Sequence, residues 1–197
     1  ASVNMDRRLI SKWVELTLLT ALTVFALYRL GPQLQAWTGV GPDLGRAPSY
    51  SFTALDGSSV DSDSLAGKVV VLNFWATWCG PCKLEMPALQ RLHSERSKNG
   101  VLVLGLATDI GHEGAITEFL DNRGITYPVG RATNPHRAAF GGINAIPTTF
   151  IIDRNGVVQH RVVGYFAPPA MRAAVDRLLS DSPSIRSDLN AETISYR

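Results

Sequence analysis

Two continuous apolar runs dominate the pattern of the chain, Val69 to Trp75 (VVVLNFW) and Val101 to Ala107 (VLVLGLA). Short apolar runs bounded by turn residues fit strands buried on both faces of a sheet. Between them, Cys79 to about Lys98 has helical spacing, with Met86, Leu89 and Leu92 on one face and Gly100 as the stop. Upstream, Tyr50 to Ala54 and Ser59 to Asp61 flank Asp56-Gly57, the turn chemistry of a β-hairpin. Downstream, the pattern predicts a helix over Glu113 to Asn122 ending at Gly124, then a short strand over Tyr127 to Val129. A short helix capped by Asn134 follows through Phe140. Thr148 to Ile152 and Val157 to Val163 read as strands joined by Asp153-Arg-Asn-Gly156, and Ala167 to Leu179 as a helix that opens on Pro168 and Pro169. This order predicts an α/β domain, a mixed central sheet flanked by helices on both sides.

The first thirty residues follow another rule. Leu16 to Tyr28 (LTLLTALTVFALY) is an uncharged run of 13 residues, the length of a signal-peptide core. Trp13, Val14 and Leu30 lengthen it, Glu15 and Arg29 are placed to snorkel, and no small-x-small cleavage site follows before the globular part. An uncleaved anchor is therefore favoured over a cleaved signal or a surface helix. Arg7, Arg8 and Lys12 precede the run and Arg29 alone follows closely, so the positive-inside rule puts the N-terminus in the cytoplasm and the remainder outside. The expected organisation is an anchor over 1–30, a Gly/Pro-rich linker over 31–46, a globular domain over 47–180 and a flexible polar tail over 181–197.

Composition narrows the chemistry. Of 197 residues 45% are hydrophobic and 18% charged, with a net charge of +2, and the basic residues are scattered rather than striped, which argues against nucleic acid as a partner. The only two cysteines lie within WCGPC, at Cys79 and Cys82. One pair makes no disulfide framework, so a chemical role outweighs a structural one. The four histidines offer no paired spacing for a zinc site, and Lys83 stands where c-type haem attachment needs histidine, so neither metal nor cofactor is expected.

Cys79 falls at a predicted helix N-terminus, where free N–H groups and the macrodipole favour the thiolate that attacks a disulfide. Cys82, almost one turn later, is spaced to resolve the mixed disulfide. Gly80 leaves the approach open, and Pro81 stiffens the turn. Glu85, by itself, reads as a solvated carboxylate in the early turns of the helix, favourable to its dipole.

WCGPC after an apolar strand, with Trp75, Trp78, the helix-kinking Pro87, Ile146-Pro147-Thr148 and Gly164 in order, resembles the thioredoxin superfamily. The lead-in APSYSFTALDG, the run GKVVVLNFWATWCGPC, Glu85 within CKLEMP and Asn73 in place of the buried aspartate of cytoplasmic thioredoxins are similar to its membrane-anchored TlpA/ResA-like branch. The resemblance implies a thioredoxin fold with an N-terminal β-hairpin and a central helix–strand insert, preceded by a membrane segment. It implies catalysis by Cys79, Cys82 and Glu85 beside a cis Pro147. It also implies a substrate-docking surface of Trp78, Gly80, Pro81, Ile146, Thr148 and Gly164. A transmembrane electron donor of the CcdA/DsbD type, and protein disulfides of cytochrome c or metal-centre maturation or of copper tolerance, are the implied partners. Gly-Pro between the cysteines is the choice of thioredoxin, at about −270 mV, rather than of the oxidant DsbA, at about −120 mV, and favours a reductase. Two alternatives stay open, a disulfide oxidase or isomerase of periplasmic proteins and a copper-binding thiol protein.

Overall fold

The computed structural model describes residues 7–38, 45–111 and 113–180. A long N-terminal helix, α1 (Arg7–Thr38), contains a 20-residue stretch, Lys12–Gly31, whose mean hydropathy of 1.4 makes it long and apolar enough to cross a membrane. The helix runs on through Gly31 and Pro32, where a linker is expected. The remainder of that linker up to residue 44, and the tail over 181–197, lie outside the described residues.

A two-stranded antiparallel hairpin follows, β1 (Ser51–Thr53) and β2 (Ser59–Asp61), turning at Gly57 with φ 85°. The main sheet has five strands in the order β5-β4-β3-β6-β7: β3 (Val69–Trp75), β4 (Val101–Ala107), β5 (Val129–Arg131), β6 (Thr148–Ile152) and β7 (Val158–Val163). β4 and β5 run parallel to β3's direction, while β6 pairs with β3 and β7 with β6 antiparallel, so the sheet is mixed. Every residue of β3 is buried, as befits the central strand of its apolar run. β5 starts two residues later than the sequence pattern predicts. Its register is set by the last residues of β4, Gly105 to Ala107, and Pro128 has no N–H to give a ladder.

Four helices flank the sheet: α2 (Gly80–Arg96), α3 (Glu113–Asp121), α4 (Asn134–Ala139) and α5 (Pro168–Ser180). Strand periodicity divides the core in two. Val69, Val71 and Trp75 of β3 and Ile151 of β6 face α2, α3 and α5, meeting Met86, Leu89, Ile116, Met171 and Val175. Val70, Leu72 and Phe74 face the other way, onto Tyr50 and Phe52 of the hairpin region and Phe140 after α4. Both faces of the sheet are thus sealed before any polar chemistry is added. The cap of α4 is Thr133 rather than Asn134: its hydroxyl accepts from His136 N–H while His136 Nδ1 accepts from Thr133 N–H, a reciprocal pair that Asn134, already helical, does not make.

Candidate active site

The site forms where β3 ends. Trp75 is the last strand residue, and Ala76 to Trp78 carry the chain into Cys79, the N-cap of α2. Cys79 and Cys82 are joined as a disulfide with Cα atoms 5.3 Å apart, and the backbone N–H of Cys82 donates to Cys79 Sγ at 3.2 Å. A sulfur that accepts a first-turn N–H sits where a helix stabilises negative charge, which is what a departing or attacking thiolate needs. Pro81 occupies the first turn, where its missing N–H costs nothing. A Cβ added at Gly80 would meet nothing within 4 Å, so the approach over the pair is open. Trp78 is 70% exposed beside it, whereas Trp75 is wholly buried and stacks on Phe119 with ring centroids 5.5 Å apart. Pro87 lies inside α2.

Opposite the helix start, the Ile146–Pro147 peptide bond is cis. The Pro147 carbonyl accepts from Gly164 N–H at 2.7 Å, and Gly164, at φ 90°, adopts a conformation that favours glycine. Ile146 packs partly buried against both core clusters. Thr148 is 1% exposed and turned inward, its hydroxyl donating to the Ala145 carbonyl at 2.8 Å, so it clasps the proline loop from within.

Glu85 lies one turn beyond Cys82 on the buried face of α2 and is itself 1% exposed, so the solvated reading of this carboxylate is set aside. Thr149 Oγ1 donates to Glu85 Oε1 at 2.8 Å, Asn73 Nδ2 donates to Thr149 Oγ1 at 2.9 Å, and Phe166 N–H lies 3.4 Å from Oε2. Burial pushes the carboxyl up to about 7, against the lowering effect of the Thr149 and Phe166 hydrogen bonds. A group poised there exchanges a proton readily near neutral pH. Tyr127, also buried, has its hydroxyl pushed upward by burial and by the charge of Glu85.

Thr149 and its link to Asn73 were not legible as site residues in the sequence. The signal was present in strand parity. Asn73 and Thr149 are register partners across β3 and β6, and both project to the α2 face, whereas Thr148 projects to the hairpin face.

A disulfide at a strand–helix junction, a cis-proline loop against it and a buried carboxylate behind it define a thiol-disulfide oxidoreductase of thioredoxin fold. Residues 44–179 match the Redoxin family model, and the chain belongs to that family. It is 31% identical over 160 residues to the thiol-disulfide oxidoreductase ResA of Bacillus thuringiensis, covering 80% of this chain and 88% of that one. It is 32% identical over 170 residues to the thioredoxin-like protein YneN of Bacillus subtilis, covering 85% and 99%. Among solved structures, a thioredoxin-family thiol:disulfide interchange protein from Chlorobium tepidum superposes with a TM-score of 0.64 at 34% identity, over 68% of this chain and 96% of that one. The chain is thus a TlpA/ResA-like member of the thioredoxin superfamily.

Proposed function

We propose that this oxidoreductase works as a reductase of protein disulfides, held at the outer face of a bacterial cytoplasmic membrane by α1 and recharged by a transmembrane dithiol donor of the CcdA/DsbD type. The observation that carries the reading is the Cys79–Cys82 pair with Gly-Pro between its cysteines, capped on α2 and backed by a buried carboxylate at Glu85. In the reduced enzyme, the Cys79 thiolate attacks one sulfur of the client disulfide and expels the other as a thiolate, leaving a mixed disulfide. Glu85 takes the proton of Cys82, whose thiolate attacks Cys79 Sγ and releases the second client sulfur. Two electrons pass to the client, whose two thiolates take up the Cys82 proton by way of Glu85 and a second proton from solvent, and the Cys79–Cys82 disulfide remains for the membrane donor to reduce. The backbone beside cis Pro147 and the open approach over Gly80 and Pro81 receive the client, with Trp78, Ile146, Thr148 and Gly164 around them.

The helix over Lys12–Gly31, the basic residues ahead of it and the redox pair after it support the location. Clients in cytochrome c or metal-centre maturation or in copper tolerance are those that the resemblance to the TlpA/ResA-like branch implies. The test is Cys82→Ser in the full-length protein expressed in bacterial membranes. Attack by Cys79 then proceeds without resolution, and a mixed disulfide with an extracytoplasmic protein is expected on non-reducing gels, absent from Cys79→Ser. Adducts that form only with cytoplasmic proteins would overturn the location.

A further inference from the structure

We propose that Asp109 is a positioning residue for Cys79: its carboxylate replaces a backbone rung at the end of the β3–β4 ladder and, through Thr77, holds the bend that sets Cys79 on the start of α2. The inference rests on the reading of Cys79 as the attacking thiol and holds for either direction of electron flow.

β3 ends at Trp75 and α2 begins at Gly80, so Ala76 to Cys79 carry the chain out of the sheet and onto a helix axis. Cys79 N–H donates to the Ala76 carbonyl at 3.2 Å and closes this stretch as a turn. Cys79 itself is extended, with φ −78° and ψ 111°, the N-cap conformation in which its sulfur meets Cys82 N–H. The support that a thiolate draws from that N–H depends on the angle at which the bend delivers Cys79.

In a parallel ladder a residue bonds to the neighbours of its partner on the next strand. Trp75 pairs with Ala107, and its carbonyl accepts from Thr108 N–H at 2.8 Å. The following rung of that pattern would take Thr77 N–H to the Thr108 carbonyl. The N–H goes instead to the Asp109 carboxylate, at 3.1 Å to each oxygen, and the Thr77 hydroxyl donates to the same group. A side chain reaches farther than a backbone carbonyl, so the chain leaves the sheet at Ala76 while Thr77 stays bonded to it. Among the described residues the carboxylate forms no salt bridge. Arg131, at the end of β5, donates to the backbone carbonyls of Asp109 at 3.2 Å and of Gly111 at 2.7 Å. Asp109 is thus fixed from β5 and directs its charge-assisted bonds onto Thr77, two residues before the nucleophile.

Position and charge act on Cys79 with opposite signs. A negative charge near the sulfur opposes the thiolate, whereas a bend that aligns the sulfur with the first-turn N–H favours it. Alignment prevails, so removing the carboxylate weakens the thiolate.

The experiment treats the reduced full-length chain in detergent with iodoacetamide across the thiol titration range and follows modification of Cys79 by peptide mass mapping. Native Cys79 is expected to titrate below the free-thiol value of about 8.5. Asp109→Ala should move the inflection upward and slow modification at neutral pH by about tenfold, the worth of one charge-assisted hydrogen bond. Asp109→Asn, which keeps an acceptor for Thr77 and discards the charge, should stay within about twofold of the native rate. Thr77→Val, which keeps the N–H bond and loses the hydroxyl, should fall between them. Lys83 and Glu85 of α2 are the same in every variant, so the differences report the clamp alone. An inflection that stays in place or moves downward in Asp109→Ala would overturn the proposal, even if the melting temperature falls. Equal shifts in Asp109→Ala and Asp109→Asn would do the same, by tracing the effect to charge. Should Asp109→Ala fail to fold, Thr77→Val decides, and a native inflection there overturns the clamp. A native Cys79 that titrates at the free-thiol value would instead remove its reading as the attacking thiolate, and the proposal with it.

Discussion

At the residue scale, Glu85 is the group on which the proposed proton chemistry and the stability of the protein meet. Its folded pKa of about 7 lies above the ordinary carboxylate value, so folding disfavours its charge. Its contribution is most favourable below the ordinary value, is lost as pH rises through about 7, and amounts to up to about 3 kcal/mol against the native state at pH 8. Glu85→Gln is therefore expected to raise the melting temperature at pH 8 relative to the native chain and to leave it nearly unchanged at pH 4.5. Comparing the two proteins removes the contributions of His93 and His160, whose values are lowered, first by burial, and which act in the opposite sense. The same variant should slow disulfide exchange and flatten its pH profile near neutrality. Thr149→Val removes a hydrogen bond to the carboxylate and should move the inflection of that profile upward, with Thr149→Ser restoring it. An inflection that ignores both Thr149 variants would detach Thr149 from the proton chemistry.

The buried state of Glu85 was not legible in the sequence, because a carboxylate in an early helical turn is ordinarily a dipole-favouring surface group. What reverses this is tertiary. α2 lies across the sheet at the place where Asn73 replaces an apolar residue in the VVVLNFW run, and Thr149 bridges the two. The cysteines were legible from local chemistry, a helix start after a buried strand, whereas cis Pro147 and Gly164 were legible only through the family resemblance, because an X-Pro bond is ordinarily trans.

At the scale of elements, the buried runs placed β3 and β4 without error, and the Asp-Gly and Asn-Gly turns placed both hairpins. Patterns with weaker periodicity shifted, as for β5, whose position depends on the end of β4 rather than on its own residues. One close contact ties the front hairpin to this edge of the sheet. A Cβ at Gly130 of β5 would lie 2.2 Å from Phe52 Cδ2 of β1, and the ring of Phe52 is buried. Gly130→Ala is expected to cost about 1–3 kcal/mol of stability by overpacking, read from denaturant midpoints, while the redox pair at the far side of β3 stays competent. A midpoint that does not move would mean that the hairpin shifts freely against the sheet.

For the whole molecule, the reactive end of the sheet carries the disulfide, the proline loop and the exposed Trp78, and α1 carries a stretch long and apolar enough to cross a membrane. In the proposed reading an anchor confines the domain near the membrane partner that exchanges electrons with it, and by itself it fits either direction of flow. Direction of electron flow is thus the central claim, and the reduction potential of the Cys79–Cys82 pair in the full-length protein, equilibrated against thiol buffers, tests it most directly. A value near that of thioredoxin, below about −230 mV, is the predicted result; a value above about −160 mV would make the pair a donor of disulfides and contradict the assignment.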